Sequence, residues 1–211
     1  RMWNSTTTDP PLFTLFFIGD SYTESLETSD KDLFYTHLRD SLHARIYACG
    51  TAGFGTTQEW LVVKRFIDSI RPDAIVLEMC NNDFADNYWK IEHMTGYKVK
   101  IMRPYITSDN SLEYHYSSHW IYWLKDKSLF LGLLCKNATN LFGRKEINLE
   151  TMWDDKGELH KILNNSFERT EGALKQIQQL ANQYHSKFLV LMPIIFIPAF
   201  IGYQMHVIAI K

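Results

Sequence analysis

Cysteine is scarce in this chain. Cys49, Cys80 and Cys135 show no CxxC spacing, and one of the three stays unpaired however the others combine. That excludes a disulfide scaffold or a clustered zinc site as the organising device. Charge of one sign is missing as well. The 22 Lys+Arg against 24 Asp+Glu give a formal charge of −2, which provides no electrostatic footprint for nucleic acid or an anionic membrane. A membrane-spanning run is also absent: the longest apolar stretch, 188–203, falls short of the ~20 residues a spanning helix needs and is interrupted by Pro193 and Pro198. No internal repeat or low-complexity tract is visible. The opening residues Arg1-Met2-Trp3-Asn4 read as a trimmed or mature start rather than a signal peptide.

What is present is ordinary for a folded domain. Hydrophobic residues make up 45% and charged residues 22% of 211, which argues against general disorder and predicts one domain over 1–211. Aromatics, at 14%, are the one excess, and they crowd a stretch at about 84–149. Three sequons (Asn4-Ser5-Thr6, Asn137-Ala138-Thr139 and Asn164-Asn165-Ser166) tilt the expected location toward the extracytoplasmic side.

The order of hydrophobic patterns implies alternating strands and helices. Residues 12–18 form a continuous apolar run ending at Gly19-Asp20, as expected of a strand buried on both faces of a parallel sheet. A helix is predicted over 32–42, with Ser29 and Asp32 in capping-box spacing, then a short strand over 45–49. After Gly50, Gly53 and Gly55, Thr56-x-x-Glu59 reads as the capping box of a second helix carrying Trp60, Val63, Ile67 and Ile70 at helical spacing. Residues 74–79 form a third buried strand. Three such alternations imply βαβ units with right-handed crossovers. The stretch 84–149 has no clear strand pattern and reads as an insertion beside the carboxyl edge of the sheet. Its Trp89, Tyr97, Tyr105, Tyr114, Tyr116, Trp120, Tyr122 and Trp123 either line a cleft or give the excursion its own small core. A long amphipathic helix over 159–184 and a strand over 188–192 follow.

Three loops leave the carboxyl ends of the first three strands: Gly19-Asp20-Ser21-Tyr22-Thr23-Glu24, residues 50–57, and Cys80-Asn81-Asn82-Asp83. Open α/β sheets bind ligands at this edge. The first loop exposes a serine hydroxyl where strand becomes helix. The second offers glycines, which let a backbone N–H approach a substrate oxygen. The third offers an amide, a neutral donor able to face an oxyanion. A serine with two further donors is the equipment of acyl transfer. Taken singly, Ser21 or Asn82 could be a helix cap, and Gly53 could serve a tight turn. Asp20 and Asp83 are expected to hold their loops through backbone N–H bonds. Cys49 and Cys80 are expected to fill apolar space.

Gly19-Asp20-Ser21, Ala52-Gly53-Phe54-Gly55-Thr56 and Asn82-Asp83 together resemble the SGNH/GDSL hydrolases, over roughly residues 12–88. The resemblance implies a flavodoxin-like three-layer α/β/α sandwich with a central, mostly parallel sheet. In its 2-1-3 strand order, the first strand would separate Cys49 from Cys80. It also implies that Ser21 is the nucleophile, and that the N–H of Gly53, the amide of Asn82 and the N–H of Ser21 itself form the oxyanion hole. Gly-Asp-Ser-Tyr-Thr-Glu followed by Gly-Phe-Gly-Thr-Thr-Gln-Glu is most similar to bacterial-type esterases and sugar O-acetyltransferases.

One family feature is missing. The family's base lies in a late Asp-x-x-His, and this sequence has none. His37 and His43 fall on the first helix, and His160 and His185 on the long one. His93, His115 and His119 lie in the insertion, and His206 has no aspartate just before it. Residues 202–210 resemble the family's post-catalytic helix with the preceding loop deleted, so the expectation is that a segment bearing Asp and His is omitted between about Pro193 and Gly202.

The reading is a serine ester hydrolase acting on a small-molecule or carbohydrate ester, with no metal or organic cofactor required. A sugar O-acyltransferase on the same fold is the near alternative. An FMN-binding flavodoxin-like carrier is disfavoured by Glu24 and Glu27, which have no lysine or arginine beside them before Lys31. A non-catalytic binding relative is the third rival. Neither oligomeric state nor acyl-chain preference is written in these residues.

Overall fold

The structure, a computed structural model, describes residues 2–4, 11–95, 103–115 and 157–192. Its elements in order are β1 (Met2–Asn4), β2 (Thr14–Gly19), α1 (Ser21–Glu24), a 3-10 turn (Asp30–Asp32), α2 (Phe34–Leu42), β3 (Arg45–Gly50), α3 (Thr56–Ile70) and β4 (Ala74–Glu78). There follow α4 (Asp83–Asp86), α5 (Trp89–Thr95), β5 (Arg103–Ile106), β6 (Leu112–His115), α6 (Glu158–Gln183) and β7 (Lys187–Leu191).

The central sheet has the order β1-β3-β2-β4-β7. All neighbours are parallel except β1, which runs antiparallel at the edge beside β3. The expected α/β class and mostly parallel sheet are both found. Strand β2 lies between β3 and β4, so it separates Cys49 from Cys80, and both thiols are free.

The alternation of β2 explains the three layers. Phe16 and Ile18 point with Ile75 and Leu77 into a core shared with Trp60, Val63 and Ile67 of α3 and Ala173 and Ile177 of α6. Leu15 and Phe17 point the other way, with Ile46, Ala48 and Val76, toward Leu33 and Tyr35. Each fully buried aliphatic or aromatic side chain here contributes about 1.5–3 kcal/mol. A strand that faces helices on both sides therefore has to be apolar throughout.

Two helix starts differ from the sequence reading. Helix α3 begins one residue after Gly55, and it is Gln58 whose Oε1 accepts the Gly55 N–H at 2.8 Å. Glu59 is instead wholly buried. Ahead of α2, Ser29 hydrogen-bonds the Asp32 carboxylate, and buried Leu33 stays extended, so the α-helix starts at Phe34. The stretch read as strandless carries the hairpin β5–β6, closed by Thr107 N–H on the Ser111 carbonyl at 2.9 Å. Pro104 and the short length hid it, since proline is confined to edge strands. None of the described helices is long and apolar enough to cross a membrane.

Candidate active site

Gly50 explains why the first two loops meet. A Cβ at this position would lie 2.2 Å from the Glu24 backbone nitrogen, so only glycine lets α1 pass over the end of β3. Glu24 fastens the crossing by accepting the Ala52 N–H at 2.7 Å. Asp20 caps α1 through the Tyr22 N–H at 3.0 Å, and Asp83 accepts the Cys80 N–H at 2.8 Å. Both aspartates are buried.

A cleft of about 1030 Å³ opens over this edge. Ser21, Gly53 and Asn82 all line it, so the three loops do converge. Ser21 is exposed at the first position of α1, and its hydroxyl has no hydrogen-bond partner among the described residues. Tyr22, Phe54, Leu61, Val62, Arg103 and Pro104 also line it.

The backbone donors of this edge are unevenly engaged. Ala52 N–H goes to Glu24, Phe54 N–H to the Thr51 carbonyl at 3.0 Å, and Gly55 N–H to Gln58. The N–H groups of Gly53 and Ser21 are left without a partner among the described residues. Gly53 adopts φ 81°, a left-handed conformation that favours glycine. Asn82 differs: its amide nitrogen donates to Asp20 Oδ2 at 3.2 Å and to Asp86 Oδ2 at 3.0 Å. With both protons directed at carboxylates, Asn82 must exchange one of these bonds before it can meet an oxyanion.

Sequence reasoning missed the charge under the cleft. Six carboxyl side chains are buried here or close by: Asp20, Glu59, Glu78, Asp83, Asp86 and Glu92. Among the described residues Arg103 is the one buried cation. Burial, reinforced by the negative charge of Asp83, raises the Glu59 carboxyl well above its ordinary value, and neither of its oxygens has a hydrogen-bond partner. Burial also raises Glu78, which accepts from the Thr23 hydroxyl. The Cys80 thiol is pushed far up, first by burial and then by Asp20, so it is an inert filler. Glu59 as a buried carboxyl and Arg103 were missed because the first reads as a capping-box side chain and the second sits in a stretch without a pattern.

The histidines whose side chains are described stay away from the cleft. His37 and His160 are exposed on helices, while His43 and His185 are exposed in left-handed turns just past α2 and α6. His115 stacks on Trp89, with centroids 4.1 Å apart, and approaches Glu113. Thus no histidine whose side chain is described lines the cleft. Trp89 and Tyr105 likewise pack within the excursion, each against His115, and Tyr114 is exposed, so none of these aromatics forms a cleft wall. His119, His206, the other insertion aromatics and the expected deletion between Pro193 and Gly202 lie outside the described residues, as does the side chain of His93.

Comparison with protein-family models and with curated proteins gave no match. The chain is similar to solved structures of esterases. AlinE4, an SGNH-hydrolase family esterase, aligns over 86% of this chain and 77% of its own at 15% identity and a TM-score of 0.35. A catalytic mutant of Axe2, an acetylxylan esterase from Geobacillus stearothermophilus, aligns over 87% and 78% at 13% identity and 0.34. A single-residue mutant of AlinE4 aligns at 20% identity and 0.34 over 43% of this chain, which spans about half (53%) of that one.

Proposed function

We propose that the protein is a serine-dependent ester hydrolase. Ser21 Oγ attacks the ester carbonyl and gives up its proton, and the developing oxyanion is received by the N–H groups of Ser21 and Gly53 with the Asn82 amide. The ester C–O bond breaks and the alcohol leaves with that proton, and water then releases the acyl group from Ser21 as the carboxylic acid. The observation that carries this reading is the pair of N–H groups, on Ser21 and Gly53, that have no partner among the described residues at the same cleft edge as an exposed serine hydroxyl. Backbone donors held in place without a partner need little reorganisation when charge develops, and such preorganised stabilisation is usually the largest single contribution to this kind of catalysis. The proton acceptor suited to the step is a histidine, whose ordinary pKa of about 6.5 lets it take and return a proton near neutral pH.

A flavin phosphate fits the edge poorly. Glu24 already holds the Ala52 N–H, so that donor is not open to a phosphate. The test is hydrolysis of short p-nitrophenyl esters by the full chain and by Ser21→Ala. The variant is expected to lose all but background turnover, and equal rates would overturn the assignment. Release of the acyl group to a sugar hydroxyl rather than to water would identify an acyltransferase instead.

A further inference from the structure

Arg103 reaches the two oxyanion donors from a part of the chain with no motif. Its Nη1 hydrogen-bonds the Gly53 carbonyl, and its Nη2 lies 3.3 Å from Asp86 Oδ1 and also pairs with Glu92. Nε donates to Glu92 Oε2 at 3.2 Å. The other Asp86 oxygen, Oδ2, accepts from the Asn82 amide at 3.0 Å. A single planar fork therefore connects the peptide of Gly53 to the carboxylate that engages Asn82. The hairpin is held firmly enough to deliver it: Gln58 Nε2 donates to the Pro104 carbonyl at 2.5 Å, and Arg169 Nη1 donates to the Ile106 carbonyl at 2.6 Å.

We propose that Arg103 is a positioning residue for the oxyanion hole, acting through Gly53 and Asn82 rather than touching the reacting atoms. The proposal rests on the ester-hydrolase reading above. Gripping the Gly53 carbonyl fixes the left-handed turn, and with it the direction of the free Gly53 N–H. Drawing charge from Asp86 weakens that carboxylate's hold on Asn82, so the amide can turn toward the developing oxyanion. Lysine cannot replace it, because an ammonium lacks the fork that engages a carbonyl and two carboxylates at once.

The experiment compares the full chain with Arg103→Lys and Arg103→Ala on a short p-nitrophenyl ester, recording kcat, KM and Tm, and adds low-millimolar guanidinium to Arg103→Ala. For a donor that is misaimed rather than deleted, the expected loss in kcat is on the order of 10–10²-fold, with KM nearly unchanged. Guanidinium should return part of it to Arg103→Ala but not to Ser21→Ala. If Arg103→Ala does not fold, Arg103→Lys decides alone: parental kcat in a folded Arg103→Lys overturns the proposal. A raised KM at parental kcat also overturns it, since Arg103 would then be only a cleft wall. So does a loss of activity that tracks loss of folded protein without rescue. If Ser21→Ala hydrolyses as fast as the parent, the ester-hydrolase reading fails instead.

Discussion

The two faces of the sheet and its carboxyl edge are built on opposite rules. On the faces, Phe16, Ile18, Ile75 and Leu77 meet apolar helix stripes, and stability comes from excluded water. At the edge, a few residues farther along the same strands, buried side chains are acidic and most are tied to backbone N–H groups or to Arg103. The lesson is that the same strands serve two purposes. The faces hold the loops at fixed distances, and the edge combines buried charge with backbone N–H groups that have no partner among the described residues.

This contrast can be broken from either side. The largest effect on function should come at the edge: Asn82→Ala is expected to lower kcat about 10²–10³-fold while Tm moves little, because Asn82 is exposed and packs little apolar surface. Steady-state kinetics with a parallel melt checks this, and a kcat within about twofold of the parent would remove Asn82 from the oxyanion hole. On the face, Leu77→Ala should do the reverse. It removes a wholly buried side chain at a cost of about 2–5 kcal/mol, read as a lower denaturation midpoint, and the protein that remains folded should retain parental kcat.

The smallest effect concerns Glu59. Its carboxyl is raised in the fold above the ordinary 4.5, so below that pH it is neutral in both states and contributes no pH dependence. As pH rises past 4.5, the unfolded chain ionises Glu59 while the folded chain keeps its proton, which favours unfolding increasingly until the folded value is passed. Glu59→Gln should therefore melt near the parent at about pH 4 and above it at about pH 8. A difference independent of pH would show that Glu59 is not held protonated.

Much of this was legible in the residues. Apolar runs ending at Gly19 and Met79 marked the buried strands, because a strand covered on both faces is apolar along nearly all its length. That Ser21, Gly53 and Asn82 would meet at one cleft was legible because loops after parallel strands share one edge. Gln58 as the cap of α3, and Glu59 as a core carboxyl, were not: helical periodicity locates a face but does not reveal what a neighbouring loop brings against it. The hairpin was missed because four-residue strands, one holding a proline, are too short to show a period.

The sequence by itself determined the layered α/β architecture and which loops would meet at one edge of the sheet, since both follow from local patterns of burial and from chain order. Only the tertiary structure decided which N–H groups at that edge remain free, where the Asn82 amide points, and that Arg103, 50 residues beyond Gly53, holds its carbonyl. Those outcomes depend on hydrogen bonds between segments far apart in the chain, and no local pattern encodes which of several equivalent donors will find a partner.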